Sequence, residues 1–223
     1  MRRVLAFSIV SCLAVTVAAF GQGAYKVQPT QGPPSGDVSA AVQGSLQPQG
    51  EQFLDGSGKA LCEVWLVKQL PAAQNPTSSP TILYGKIAPG SLVGVIHFAN
   101  QATDHRGQTI KPGFYTLRYQ LIPEDGNHMG VSQYRDFLLL VPAAQDPGAS
   151  QALAFDQAVQ LSRKVTGTGH PGVLMMDAVS DSDKKFPDAF QDYSQNWALQ
   201  VQTQLAGGTN LPIAFVLVGK YEG

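Results

Sequence analysis

Within the six residues Glu124-Asp125-Gly126-Asn127-His128-Met129 the chain sets two carboxylates, an imidazole and a thioether. Imidazole with thioether suits copper, and imidazole with carboxylate suits zinc or another borderline metal, so Asp125, His128 and Met129 are the candidate metal ligands. The stretch lies between two strand-like segments, and loops on a rigid β scaffold are where binding sites are commonly built. The plain alternative is a turn at Asp125-Gly126, with His128 bonded to its own loop and Met129 packed inward. No second ligand motif accompanies the cluster, which favours the plain alternative.

Three other histidines would have to converge on this loop to complete a site. His97 stands on a strand face, where a satisfied structural histidine is the ordinary case. His105 lies in the polar turn Thr103-Asp104-His105-Arg106-Gly107, whose default role is solvation. His170 precedes Pro171, which restricts its backbone to extended conformations. The acidic stretch with Asp177, Asp181, Asp183, Asp188 and Asp192 lacks the glycine and terminal glutamate of an EF-hand and holds Lys184 and Lys185, so it reads as an exposed polar loop.

Several enzyme signatures are missing. There is no Gly-x-Ser-x-Gly elbow, no His-Glu-x-x-His helix, no phosphate-cradling Gly-x4-Gly-Lys-Ser/Thr loop and no Cys-x-x-Cys pair. Gly167-Thr168-Gly169 follows a helix where a dinucleotide fingerprint would follow a strand. A hydrolase with a dispersed site is left as one alternative to a non-catalytic chain, and a metal-binding protein using His128 as the other.

The elements that must hold these residues are mostly strands. Lys111 to Pro142 opens on a Pro-Gly turn and runs through Tyr115, Leu117, Tyr119 and Leu121 alternating with Thr116, Arg118 and Gln120, which predicts a half-buried strand with one wet face. Tyr134 to Val141 supplies the next strand, ended by Pro142. Asp55-Gly56-Ser57-Gly58 makes a hairpin between 51–54 and 59–68. Further strands are predicted at 81–87, 91–100, 173–176, 196–205 and 212–221. Between Ser150 and Lys164 the period changes, and Leu153, Phe155, Ala158, Val159 and Leu161 form a helical face with Ser150 as a candidate N-cap. Short strands, many Gly and Pro turns and one helix predict an all-β fold: an antiparallel β-sandwich, immunoglobulin-like or jelly-roll-like, with one inserted α-helix.

The first 21 residues have the layout of a secretory signal peptide, with Arg2-Arg3, an apolar run from Val4 to about Phe20, and small residues at Val17, Ala19 and Gly21 for cleavage. The run is short for a membrane span and diluted by Ser8, Ser11 and Thr16, so no span is expected after cleavage. Export leaves about 200 residues, enough for one core. Residues 22–50, rich in Gln, Gly, Pro and Ser, read as a leader or linker, and 51–223 as a single sandwich domain. The whole chain has a formal charge of −1, becoming more acidic once Arg2 and Arg3 are removed. No basic patch argues for nucleic acid. Cys12 leaves with the signal, so Cys62 is the sole cysteine of the mature chain, and its apolar setting favours a buried, inert thiol.

Glu63-Val64-Trp65-Leu66, Gly94-Val95-Ile96, Ile110 to Leu117, Glu124 to Gly130, Arg135-Asp136-Phe137 and His170-Pro171 together resemble a group of uncharacterised exported bacterial β-sandwich proteins. The resemblance implies export and fold and carries no catalytic residues or cofactor. The expectation is therefore an exported, periplasmic or extracellular binding or accessory module. Its partner would be another protein, an envelope component or a small ligand, met by an apolar or aromatic patch at one loop end that includes Tyr134 or Phe186.

Overall fold

The computed structural model describes residues 24–125, 132–180 and 185–219. The signal-peptide segment, His128, Met129, Asp181 and Asp183 lie outside the described residues. Among the described residues twelve strands are present: β1 (Lys26–Pro29), β2 (Glu51–Leu54), β3 (Ala60–Leu66), β4 (Leu92–Phe98), β5 (Ala102–Thr103), β6 (Thr109–Ile110), β7 (Gly113–Leu121), β8 (Asp136–Pro142), β9 (Val173–Asp177), β10 (Asp188–Gln191), β11 (Trp197–Gln204) and β12 (Asn210–Val218), with helices α1 (Ala40–Gln43) and α2 (Phe155–Thr166). The chain is all-β in class. Ten strands form one antiparallel sheet in the order β1-β2-β3-β4-β7-β8-β9-β12-β11-β10, while β5 and β6 pair separately. The sheet curls until its first and last strands approach each other. Tyr25, just before β1, stacks on Phe53 of β2 at 5.5 Å and leans on Trp197 of β11 at 4.8 Å. No helix among the described residues is long and apolar enough to cross a membrane.

The segment expected as a leader is built into the fold. β1 pairs with β2 from Lys26↔Leu54 to Pro29↔Glu51, Trp65 Nε1 donates to the Gly32 carbonyl at 2.7 Å, and Val38, Val42 and Leu46 are buried in the main core. Its composition is polar, but three spaced apolar side chains and one strand's worth of backbone pairing are enough to fix it. The predicted strand at 81–87 is also corrected. Those residues form turns and isolated bridges, because the amides of Leu83 and Tyr84 donate to the buried carboxylate of Asp136 at 2.7 and 2.9 Å instead of to a neighbouring strand.

β7 has no wet face. Tyr115, Leu117 and Tyr119 enter the main core as expected, but Thr116, Arg118 and Gln120 on the other face are buried too. The segment 143–153 covers them. Asp146 takes Arg118 Nε at 2.8 Å and Thr116 Oγ1 at 2.6 Å, and it is also bonded to Arg118 Nη2. The remaining guanidinium hydrogens go to the carbonyls of Gly90, Gly148 and Gln151 at 2.8–2.9 Å. All five N–H groups of Arg118 are thereby satisfied, the condition under which a buried charge is tolerated.

β8 divides its side chains between two cores. Leu138 and Leu140 face the main core, whereas Phe137, Leu139 and Val141 face a second, smaller one shared with Leu153, Ala158, Val173 and Met175. The period of two explains why a continuous Leu-Leu-Leu run is needed here. α2 closes this second core. It begins at Phe155 rather than after Ser150, with Ala154 at the N-cap and no side-chain cap. Ala158, Ser162 and Val165 form its buried face, Asp156 near the start and Arg163 and Lys164 near the end match the helix dipole, and Gly167 ends it at φ 66°.

Candidate functional site

The second core is incomplete at one end, and there a groove of about 390 Å³ opens between α2 and the ends of β8 and β9. Phe137, Val173 and Met175 contribute from the strands, and Phe155 and Val159 from the helix. Ile122, Pro123 and Asp125 line it from the loop after β7. That loop is held by Arg135, which donates to the Ile122 carbonyl at 2.9 Å and to Glu124 at 2.6 Å.

The turn joining β5 to β6 brings His105 and Arg106 to the groove. Its geometry follows from buried Asp104, whose carboxylate accepts the amides of Arg106 at 3.0 Å and Gln108 at 2.8 Å, the Gln108 side chain at 2.8 Å, and the Val173 amide at 3.4 Å. The same Gln108 donates to the Pro171 carbonyl at 3.1 Å and accepts from Thr168 Oγ1 at 2.6 Å. Thr166 and Thr168 then hold the His170 carbonyl at 2.7 and 3.1 Å. One hydrogen-bonded chain thus fixes both loops that carry His105 and His170. Burial holds the His105 imidazole below its ordinary pKa, opposed in part by Asp104 and Asp192.

Of the residues singled out from sequence, Asp125, His105 and His170 line this one groove. His128 and Met129 lie outside the described residues, so the proposed ligand set is represented here by Asp125 alone. Among the described residues, no group of three or more His, Cys, Asp or Glu is placed to hold a metal ion. His97 is elsewhere. On the β3–β4 face it bonds through Nδ1 to its cross-strand neighbour Glu63 at 3.0 Å and stacks on Phe114 of β7 at 4.1 Å, a cross-strand polar and aromatic pairing of the usual stabilising kind. Cys62 is buried, and burial raises its thiol pKa far above the ordinary range, as expected of an inert side chain. Tyr134 and Phe186, expected on an exposed aromatic patch, are half-buried.

Sequence reasoning did not select Arg106 and Arg163, which bring two cations to the groove from separate elements. Arg163 stands in the last turn of α2, where a basic residue is already accounted for by the helix dipole. Only the folded arrangement shows that it shares a cavity with Arg106. Comparison of the chain with known protein families, curated proteins and solved structures found no match.

Proposed function

We propose that this chain is an exported, non-catalytic binding protein that takes a small ligand with a compact apolar body into the groove beside α2. The observation that carries the reading is the groove itself: an apolar lining from the strands and α2, with a few polar side chains from its loops, in the size range of small-molecule sites. The hydrogen bonds that fix the loops carrying His105 and His170 hold that side of the groove without a ligand, so little ordering cost attends binding there. The reading of export rests on the N-terminal charge, apolar run and small residues. We also read the curled sheet as two stacked layers. The parallel bridge Leu70↔Leu205 and the small cavity shared by Val64 and Leu66 of β3 with Val201 and Gln202 of β11 support that arrangement.

The test is a titration of the mature protein, with ¹³C-labelled Met and Val methyls, against 1-decanol held below its solubility limit. Shifts confined to Val159, Val173 and Met175 are expected. No shift, or shifts centred on the main core, overturns the reading. N-terminal sequencing of exported material checks the leader, and a retained Met1 would remove that part of the proposal.

A further inference from the structure

We infer that the ligand of this groove is a free, single-tailed amphiphile whose head is an oxyanion, carboxylate or phosphate, recognised by Arg106 and Arg163. The inference rests on the groove binding an apolar body and adds the head group.

The groove is two-sided in its chemistry. Phe137, Val173 and Met175 come from strands packed beneath the helix and supply only hydrocarbon and thioether surface. Arg106 and Arg163, both exposed, bring two guanidinium groups from the β5–β6 turn and the end of α2. Neither guanidinium is hydrogen-bonded to or ion-paired with a described residue. Arg135 differs, since its guanidinium is committed to Glu124 and Ile122, and Arg118 is consumed by the Asp146 network. Two cations beside an apolar cleft, on a chain whose overall charge is −1, are a local reversal of sign. Among the described residues Asp125 is the one carboxylate lining the groove, and it is engaged in an interaction of its own.

An oxyanion suits two guanidinium groups because each presents planar N–H donors that match a carboxylate or phosphate edge. A second arginine prevents the head from being held by one contact alone. The size of the cleft sets the tail. At about 30 Å³ per small non-hydrogen group, 390 Å³ accommodates on the order of a dozen atoms, the length of a medium alkyl chain with its head group. A two-tailed lipid would exceed this, which favours a monomeric amphiphile over a bilayer surface.

The test compares decanoate, decyl phosphate and 1-decanol, each below micelle formation, by calorimetry and by the Val159, Val173 and Met175 methyl shifts, on the mature protein and on R106Q/R163Q. Both arginines are exposed, so the variant is expected to fold, and its melting temperature checks this. The expected result is that at least one of the two anions binds about tenfold or more tighter than decanol, and that this preference falls below about threefold in the variant, chiefly through weaker anion binding. The tighter of the two anions identifies the head. Equal binding of decanol and both anions overturns the oxyanion inference while leaving the apolar groove intact, as does a preference that survives in R106Q/R163Q. If none of the three binds, both readings fall.

Discussion

Asp146→Asn should unfold this protein earlier than any surface change, because it removes the carboxylate that, among the described residues, is the countercharge of a fully buried guanidinium. The Arg118 and Asp146 side chains both have zero exposure, and the amide replacement keeps the shape while leaving Arg118 charged in a dry interior. Removing one partner of a buried ion pair costs about 3–5 kcal/mol. For a domain of 150–250 residues each kcal/mol lowers Tm by about 2–4 °C, so a fall of roughly 6–20 °C is expected. The double variant R118M/D146L should be less destabilised than the sum of its two singles, since no charge is then left unpaired. It should not return to the parent, because the carbonyls of Gly90, Gly148 and Gln151 lose their donors. The assay is urea and thermal unfolding of the parent, the two singles, the double and Asp146→Asn. A Tm change below about 3 °C for Asp146→Asn, or strict additivity of the two singles, would refute the claim that this pair pins segment 143–153 to β7.

Four further outcomes are expected. Gly90→Ala should destabilise by about 2 kcal/mol or more in denaturant melts, since its φ is +80° and an added Cβ would meet the Leu153 carbonyl at 2.3 Å, whereas Gly207→Ala, at φ +96° with no atom nearby, should cost less. The Cys62 thiol should resist thiol reagents in native buffer and react fully in denaturant, so rapid native labelling would contradict its burial. His105 favours its neutral form when folded, so the unfolded chain binds the extra proton between the lowered folded pKa and the ordinary value of about 6.5. Stability should therefore fall as pH drops through that window, and the slope should flatten in His105→Gln, measured by Tm against pH. Deleting residues 1–36 should lower Tm by more than about 10 °C or prevent folding, because it removes β1 and the Gly32 carbonyl that Trp65 bonds; an unchanged melt would mean the segment is a tether after all.

The strands were legible where side chains alternate against one dominant core. β3, β4, β7, β8, β11 and β12 stand within a few residues of their predicted spans, because Val, Ile, Leu and Tyr at every second position leave little else for the backbone to do. What could not be read was covering. Thr116, Arg118 and Gln120 look like a solvated face until segment 143–153 is laid over them, and polarity alone does not distinguish water from Asp146. Residues 81–87 are apolar enough for a strand, but the amides of Leu83 and Tyr84 go to a single carboxylate about fifty positions away, and those of Ile82 and Ile87 to carbonyls three residues back. The N-terminal segment reads as a linker for a similar reason, since its apolar anchors are sparse and its place depends on a sheet edge formed later in the chain. The groove was half visible. Asp125, His105 and His170 were each singled out, yet which of them meet depends on Gln108 linking two loops. Arg106 and Arg163 carried no motif at all.

The meeting of β1 with β10 also bears on what these molecules do to one another at high concentration. An open ten-stranded sheet would display two rows of unpaired amides and carbonyls, templates on which another copy adds strands and begins a fibril. Here both terminal strands are four residues long, one carries Pro29, and the two lie close to each other. Cys62, buried and unpaired, offers no disulfide to keep such rims apart from their neighbours. Curvature, with short edge strands and Pro29, works against such strand addition.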